Sequence, residues 1–290
     1  MYERILLPTD GSDVAETAAT AAITFAERFD ATLHVVHVLE LGELPPGVDD
    51  SDADGLAHSG EAAAASVAQQ AQAAGVSVTS SVVDRADTIH GTIVTAAVEE
   101  SADLIVMGTY GRTGLDRFVL GSVTEQTLRE SPVPVLTVHE ETVVTAAPEG
   151  ILVPTDGSEA ARSAATHAIE LASETDATLH ALNVVDTGVV WGDVDVGMVL
   201  EALEEAGREA IDEVVDQATA ADIGTVEASV ASGAVHRAIV DYTAENDIDC
   251  VVMGTHGRTG LDRYILGSVT ERVVRLSDVP VIATKHTEGD

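Results

Sequence analysis

The chain has 290 residues, 45% of them hydrophobic, and a formal net charge of −36 from 50 acidic and 14 basic side chains. That length and apolar fraction exclude a disordered chain and allow two domains with real cores. The charge excludes nucleic acid and anionic membrane surfaces as partners, and a single cysteine, Cys250, excludes an intramolecular disulfide.

From the N-terminus, "MYERILLPTDGS" reads as a strand over Arg4–Leu7 that runs into a turn, without the basic and apolar regions of a signal peptide. "DVAETAATAAITFAERF" follows as a helix, because Val14, Ala18, Ala21, Ala22, Phe25 and Phe29 recur on one face. "TLHVVHVL" is the second strand. The next stretch, "ELGELPPGVDDSDADGLAHSG", is polar and acidic and reads as a mobile loop. An alanine-rich helix over about Glu61–Ala74 leads to a third strand at Val76–Val83. "DTIHGTIVTAAVEESA" is helical, with Ile89, Ile93 and Ala97 in line. "DLIVMG" is a fourth strand whose unbroken apolar run suits burial on both faces. Ser122–Arg129 is a short helix and "PVPVLTV" the fifth strand. This alternation predicts an α/β fold with a parallel sheet and helices on both faces.

The second half repeats the first. "LPTDGS" at Leu7 matches "VPTDGS" at Val153, His90 matches His236 and Gly108 matches Gly254, each at an offset of 146. Over Val106–Glu125 and Val252–Glu271 the copies agree at 17 of 20 positions. A period this long marks a duplicated domain and not a solenoid. The expected organisation is two tandem Rossmann-like domains, 1–140 and 150–290, joined by a linker at 141–149. After the second strand the halves diverge, and "TGVVWGDVDVGMVLEA" in the second carries Trp191 and Met198, read first as packing residues, with cover over a nucleotide or a protein contact as the alternative.

Aromatics make up only 3%, so alanine and valine must build the core. The acids are scattered through both halves, which reads as adaptation to a salty cytoplasm, where at about 1 M salt charges are screened beyond roughly 3 Å. No apolar run approaches transmembrane length, and the expected location is the cytoplasm. Cys250 lies in the apolar run "DCVVMG" and reads as a buried structural thiol. The histidines form no HExxH or Cys/His pattern, so no zinc site is expected.

In open parallel sheets, ligands sit beyond the C-terminal ends of the strands at a topological switch point. Two loops leave such ends here: "PTDGS" after strand one and "GTYGRTGLDRFVLGS" after strand four. The second spaces its glycines as Gly108, two residues, Gly111, nine residues, Gly121-Ser122. Glycines let backbone N–H groups approach an anion, and the loop feeds a helix N-terminus, whose amides and dipole favour negative charge. Arg112 and Arg117, with Arg258 and Arg263, place four of only fourteen cations in the two loops. A purely local role stays open beside this one: "SVTE" at Ser122–Glu125 and Ser268–Glu271 is a capping-box pattern, and "TDGS" is turn and N-cap chemistry. No Walker A motif and no dinucleotide fingerprint after strand one is present, and the single lysine, Lys285, is far from either loop in sequence.

The strand-one "PTDGS", the strand end "DLIVMGTYG" and the Gly-x2-Gly-x9-Gly-Ser loop together resemble the universal stress protein family, over nearly the whole chain. In that family the intact loop marks the ATP-binding branch, with an adenine nucleotide α-hydrolase-like fold. The resemblance assigns the nucleotide to Pro8, Thr9, Asp10, Val38, Met107, Gly108, Gly111, Arg112, Gly121, Ser122 and Val123 in the first module. In the second it assigns Pro154, Thr155, Asp156, Val184, Met253, Gly254, Gly257, Arg258, Gly267, Ser268 and Val269. Asp10 and Asp156 would lie by the adenosine, Val38 and Val184 would meet adenine through backbone groups, and the glycines and serines would cradle ribose and phosphates. The resemblance leaves room for a divalent ion, magnesium or manganese, on the phosphates. It also implies pairing of the fifth strands, residues 134–138 with 280–284, inside one chain. The implied role is a regulatory or protective ATP binder in the stress response with little or no hydrolysis. The absent catalytic lysine argues against fast turnover, while Asp10 as a base leaves slow hydrolysis open. The competing readings are an adenine-nucleotide hydrolase or transferase, which lacks its "SGGxDS"-type loop here, and a nucleotide-free scaffold, which the intact loops oppose.

Overall fold

The computed structural model describes residues 1–39, 50–84, 87–111, 120–189, 196–257 and 266–285. The chain divides into two compact units, Tyr2–Ala146 and Ala147–Asp290.

The first unit runs β1 (Arg4–Pro8), α1 (Asp13–Phe29), β2 (Thr32–Leu39), α2 (Asp50–Ala73), β3 (Val78–Asp84), α3 (Ile89–Glu99), β4 (Leu104–Gly108), α4 (Ser122–Glu130) and β5 (Val135–Val138). Its strands lie in the order β3-β2-β1-β4-β5, all neighbours parallel. The second unit runs β6 (Gly150–Pro154), α5 (Glu159–Thr175), β7 (Thr178–Asp186), α6 (Val196–Ala220), β8 (Val226–Gly233), α7 (Val235–Glu245), β9 (Cys250–Gly254), α8 (Ser268–Leu276) and β10 (Val281–Thr284). Its order is β8-β7-β6-β9-β10, again parallel. Each unit is the predicted five-stranded parallel sheet with crossover helices.

The central strands are the apolar runs. Ile5, Leu6 and Leu7 of β1 and Leu104 and Ile105 of β4 are fully buried, as are Ile151 and Leu152 of β6. Helices α1 and α5 cover them with alanines, Ala18, Ala19 and Ala22 in one and Ala164, Ala165 and Ala168 in the other, all solvent-free. Side chains this small let the helix backbone lie close to the sheet, which is how a chain so poor in aromatics still closes its core.

Three expectations need correction. Helix α2 begins at Asp50, so residues 50–60 of the expected mobile loop are helical, and only 40–49 lie outside the described residues. A polar, acidic composition suits a helix start as well as a loop. Met198 does not pack: it is 69% exposed on α6, while Trp191 lies outside the described residues. Third, the capping boxes at Ser122 and Ser268 do not form, as detailed below.

Cys250 is buried at the start of β9. Burial first, then the neighbouring Asp249 carboxylate, pushes its thiol up to about 12. Thiolate, not thiol, is the nucleophile. Native protein at pH 8 is therefore expected to show no labelling by iodoacetamide, and urea-unfolded protein to label fully. Rapid labelling of the native chain would contradict the burial.

Candidate functional site

The strand order reverses direction at β1: β2 lies on one side and β4 on the other. The loops after β1 and β4 therefore emerge side by side at the switch point.

The β1 loop is held from both ends of one residue. Thr9 N–H donates to the Val36 carbonyl at 2.9 Å, and the Thr9 carbonyl accepts from His37 Nδ1 at 2.8 Å. Because a carbonyl only accepts, that ring nitrogen carries the proton. Gly11 then turns the chain at φ +73°, a conformation that favours glycine. Ser12 caps α1 by accepting from Ala15 N–H, and Asp10 Oδ1 accepts from both the N–H and the hydroxyl of Ser12 at 3.0 and 2.6 Å. The local turn-and-cap role read from "TDGS" is thus real. It leaves the Asp10 carboxylate aimed at the neighbouring loop, since a Cβ built on Gly111 would come within 2.6 Å of Asp10 Oδ2.

The β4 loop is equally constrained. A Cβ on Gly108 would strike Val14 at 2.8 Å, and one on Gly121 would lie 3.1 Å from Tyr110 Cα and 3.3 Å from the Thr109 carbonyl. Gly121 N–H donates to that carbonyl at 2.7 Å, closing the loop on itself. Thr124 Oγ1 donates to the Gly108 carbonyl at 2.7 Å and ties the start of α4 to the end of β4.

Helix α4 starts at Ser122, and its N-cap is Gly121, in extended geometry and without a side-chain cap. The same holds for α8, with Gly267 before Ser268. Ser122 and Ser268 are first helical residues and not caps, so their hydroxyls are one position too late to bind the N2 or N3 amide. The first amides of a helix have no intrahelical acceptor, and a glycine cap has no side chain to offer them one. A helix start of this kind, opening over a strand end, suits an anion.

These elements enclose a cavity of about 370 Å³ in the first unit. Pro8, Thr9, Asp10, Val38, Met107, Gly108, Gly111, Gly121, Ser122 and Val123 all line it. Of the residues expected in the first module, Arg112 alone lies outside the described residues. Val36, Ile89 and Ile93 add apolar walls to the cavity with Val38. The volume falls in the range of small-molecule sites, about 300–1,000 Å³.

The second unit repeats the bonds. Thr155 N–H donates to the Leu182 carbonyl at 2.8 Å, Asn183 Nδ2 donates to the Thr155 carbonyl at 2.7 Å, and Ser158 N–H donates to Asp156 Oδ1 at 3.0 Å. Gly257 faces Asp156, Gly267 N–H donates to the Thr255 carbonyl at 2.8 Å, and Thr270 Oγ1 donates to the Gly254 carbonyl at 2.8 Å. Pro154 ends β6, Val184 lies near the end of β7, Met253 lies in β9, and Val269 follows Ser268 in α8. Arg258 lies outside the described residues. The contacts around Tyr110 and His256 differ, and His139 of the first unit is matched by Lys285 in the second. In the first unit Thr109 Oγ1 lies 2.9 Å from His139 Nδ1 while Tyr110 donates to Glu140, whereas in the second Thr255 Oγ1 lies 2.8 Å from His256 Nδ1.

Sequence reading missed the residues that hold the loops. His37 and Asn183 are polar side chains at equivalent places near the ends of β2 and β7, and that coincidence was the available signal. Gly60 of α2 and Gly207 of α6 were also missed; a Cβ on the first overlaps the His37 imidazole and on the second the Asn183 amide. Thr124 and Thr270 lay inside a motif read only for its capping residues. Among the described residues no group of three His, Cys, Asp or Glu side chains is placed to hold a metal ion, and no helix is long and apolar enough to cross a membrane.

The chain matches the family model described as the universal stress protein family over residues 1–139 and again over 149–285. A universal stress protein of Methanocaldococcus jannaschii is 38% identical over 143 residues, which are 48% of this chain and 84% of that protein. One of Mycobacterium tuberculosis is 29% identical over 302 aligned positions, covering 98% of this chain and 97% of its own length. Among solved structures, a universal stress protein from Archaeoglobus fulgidus superposes with a TM-score of 0.71 at 27% identity, covering 98% of both chains. Two successive matches that span nearly all of the sequence, on two copies of one fold with one loop geometry, place the chain in the universal stress protein family.

Proposed function

We propose that each module binds one adenine nucleotide, ATP in the first instance, and that the protein works as a nucleotide-responsive regulator and not as a fast hydrolase. The observation that carries this is the β4–α4 loop. Gly108, Gly111 and Gly121 sit where any side chain would collide, and they deliver an uncapped helix start into the same cavity as Asp10. Phosphates take the α4 amides and the adenosine takes the apolar walls of Val38, Ile89 and Ile93. A divalent ion, where one accompanies the nucleotide, enters on the phosphates. Asp10 Oδ1 is already engaged by Ser12, which supports a positioning role over that of a base.

The reading extends to the expected module limits of 1–140 and 150–290, to pairing of 134–138 with 280–284 as the resemblance implies, and to work in a salty cytoplasm. It is tested by thermal unfolding in high salt with and without Mg-ATP. Binding to the folded state alone stabilises by about 2.7 kcal/mol at a hundred times Kd, so the transition of each module rises by several degrees. ADP and AMP release over the same hours stays near background. An unchanged transition at millimolar ATP would sink the proposal, and rapid ADP release would replace the binder with an enzyme.

A further inference from the structure

We infer that His37 and Asn183 are the positioning residues of the two sites, chemically different side chains doing one job. Each aims the Asp10 or Asp156 peptide at the nucleotide by donating to the carbonyl that precedes it. The inference rests on the nucleotide reading of the cavity and deepens it.

The geometry is the same in both modules. Two successive residues of the second strand grip one residue of the first loop. The Val36 carbonyl takes the Thr9 N–H and the His37 ring donates to the Thr9 carbonyl, while Leu182 and Asn183 treat Thr155 alike. The Thr9 carbonyl belongs to the peptide plane that carries the Asp10 N–H. Holding both ends of Thr9 therefore fixes where Asp10 starts, and Asp10 Oδ2 lies against Gly111 of the opposite loop. His37 and Asn183 are both buried, as are Thr9 and Thr155, so each hydrogen bond lies largely out of solvent. Room for each side chain comes from a helical glycine, Gly60 for His37 and Gly207 for Asn183, where a Cβ would overlap it. A donor, its acceptor and the notch that houses it recur at equivalent positions, although the donor is an imidazole in one module and a carboxamide in the other. What the site requires is the N–H, not the particular ring or amide.

The test is a two-site titration of the full chain with Mg-ATP at high salt, beside the unfolding transition without nucleotide. His37→Leu is expected to weaken one site about tenfold, the affinity change that goes with one lost buried hydrogen bond, and to leave the other at its wild-type Kd. Asn183→Leu does the same to the other site. His37→Asn restores what His37→Leu loses, and Asn183→His restores what Asn183→Leu loses. If a leucine variant does not fold, the exchange variants still decide the matter: each must hold two nucleotides with Kd values within about threefold of wild type. The inference is overturned if His37→Leu binds like wild type at both sites, or if the exchange variants lose as much as the leucine variants. Failure of wild-type protein to bind nucleotide is a separate result that removes the nucleotide reading itself.

Discussion

Gly121→Val is expected to abolish nucleotide binding in the first module while leaving the second untouched, and Gly267→Val to do the reverse. A Cβ at Gly121 meets the Tyr110 and Thr109 backbone at 3.1 and 3.3 Å, and one at Gly267 meets the Thr255 carbonyl at 3.0 Å. The contacted atoms are main chain, so the loop must move to admit a side chain. The branched methyl groups would also stand in front of the uncapped amides of α4 or α8. Overpacking of this kind costs about 1–3 kcal/mol of stability. Loss of the amide cradle costs the ligand about 3 kcal/mol or more, on the order of a hundredfold in Kd. Calorimetric titration reads the effect as a fall from two sites to one in each single variant and to none in the pair. Circular dichroism unchanged from wild type separates this from collapse of the module. If either variant still binds two nucleotides, the loop is not the cradle.

The second large effect is a reversal of sign. Replacing a mid-helix glycine by alanine commonly stabilises by about 1 kcal/mol. Gly60→Ala and Gly207→Ala should instead destabilise their modules by about 1–3 kcal/mol, because the new methyl group overlaps the buried His37 ring or the Asn183 amide. Gly224 is the control: a Cβ there meets nothing within 4 Å and its φ is ordinary, so Gly224→Ala stays near neutral. Urea unfolding at fixed salt measures all three. Combining Gly60→Ala with His37→Ala removes the overlap, so the cost of the alanine should largely vanish in that background. A stabilising Gly60→Ala would show that the helix does not press on His37.

Most of the fold was legible because its signals are local and doubled. The apolar runs that became β1, β2 and β4 were bounded to within a residue, and five of the six residues expected on the α1 face are buried, Phe29 being half-buried, while Ala15, Ala19 and Ala26 widen that face. The β1 and β4 loops were legible for a different reason: glycine spacing and strand-end position point to a backbone function whatever the tertiary packing. The failures share a cause as well. Whether Ser122 or Gly121 caps α4 depends on how the loop closes through the Gly121–Thr109 hydrogen bond, a contact across 12 residues of chain that no local motif encodes. His37, Gly60 and Thr9 come from three separate elements, and only the folded chain brings them together. Residues 50–60 misled because acidic, small side chains suit both a solvated loop and a helix start.

The exchange of Tyr110 for His256 shows what duplication has allowed. The loop geometry is retained, yet the threonine after the fourth strand lies against His139, beyond β5, in one module and against its own neighbour His256 in the other. On the proposed nucleotide reading, such differences predict unequal affinities at the two sites.

The central claim is that this chain carries two nucleotide sites, one per module. Equilibrium dialysis of the intact protein against labelled Mg-ATP in high salt counts them directly. Saturation is expected at two nucleotides per chain. A count that stays at zero up to millimolar ATP would contradict it.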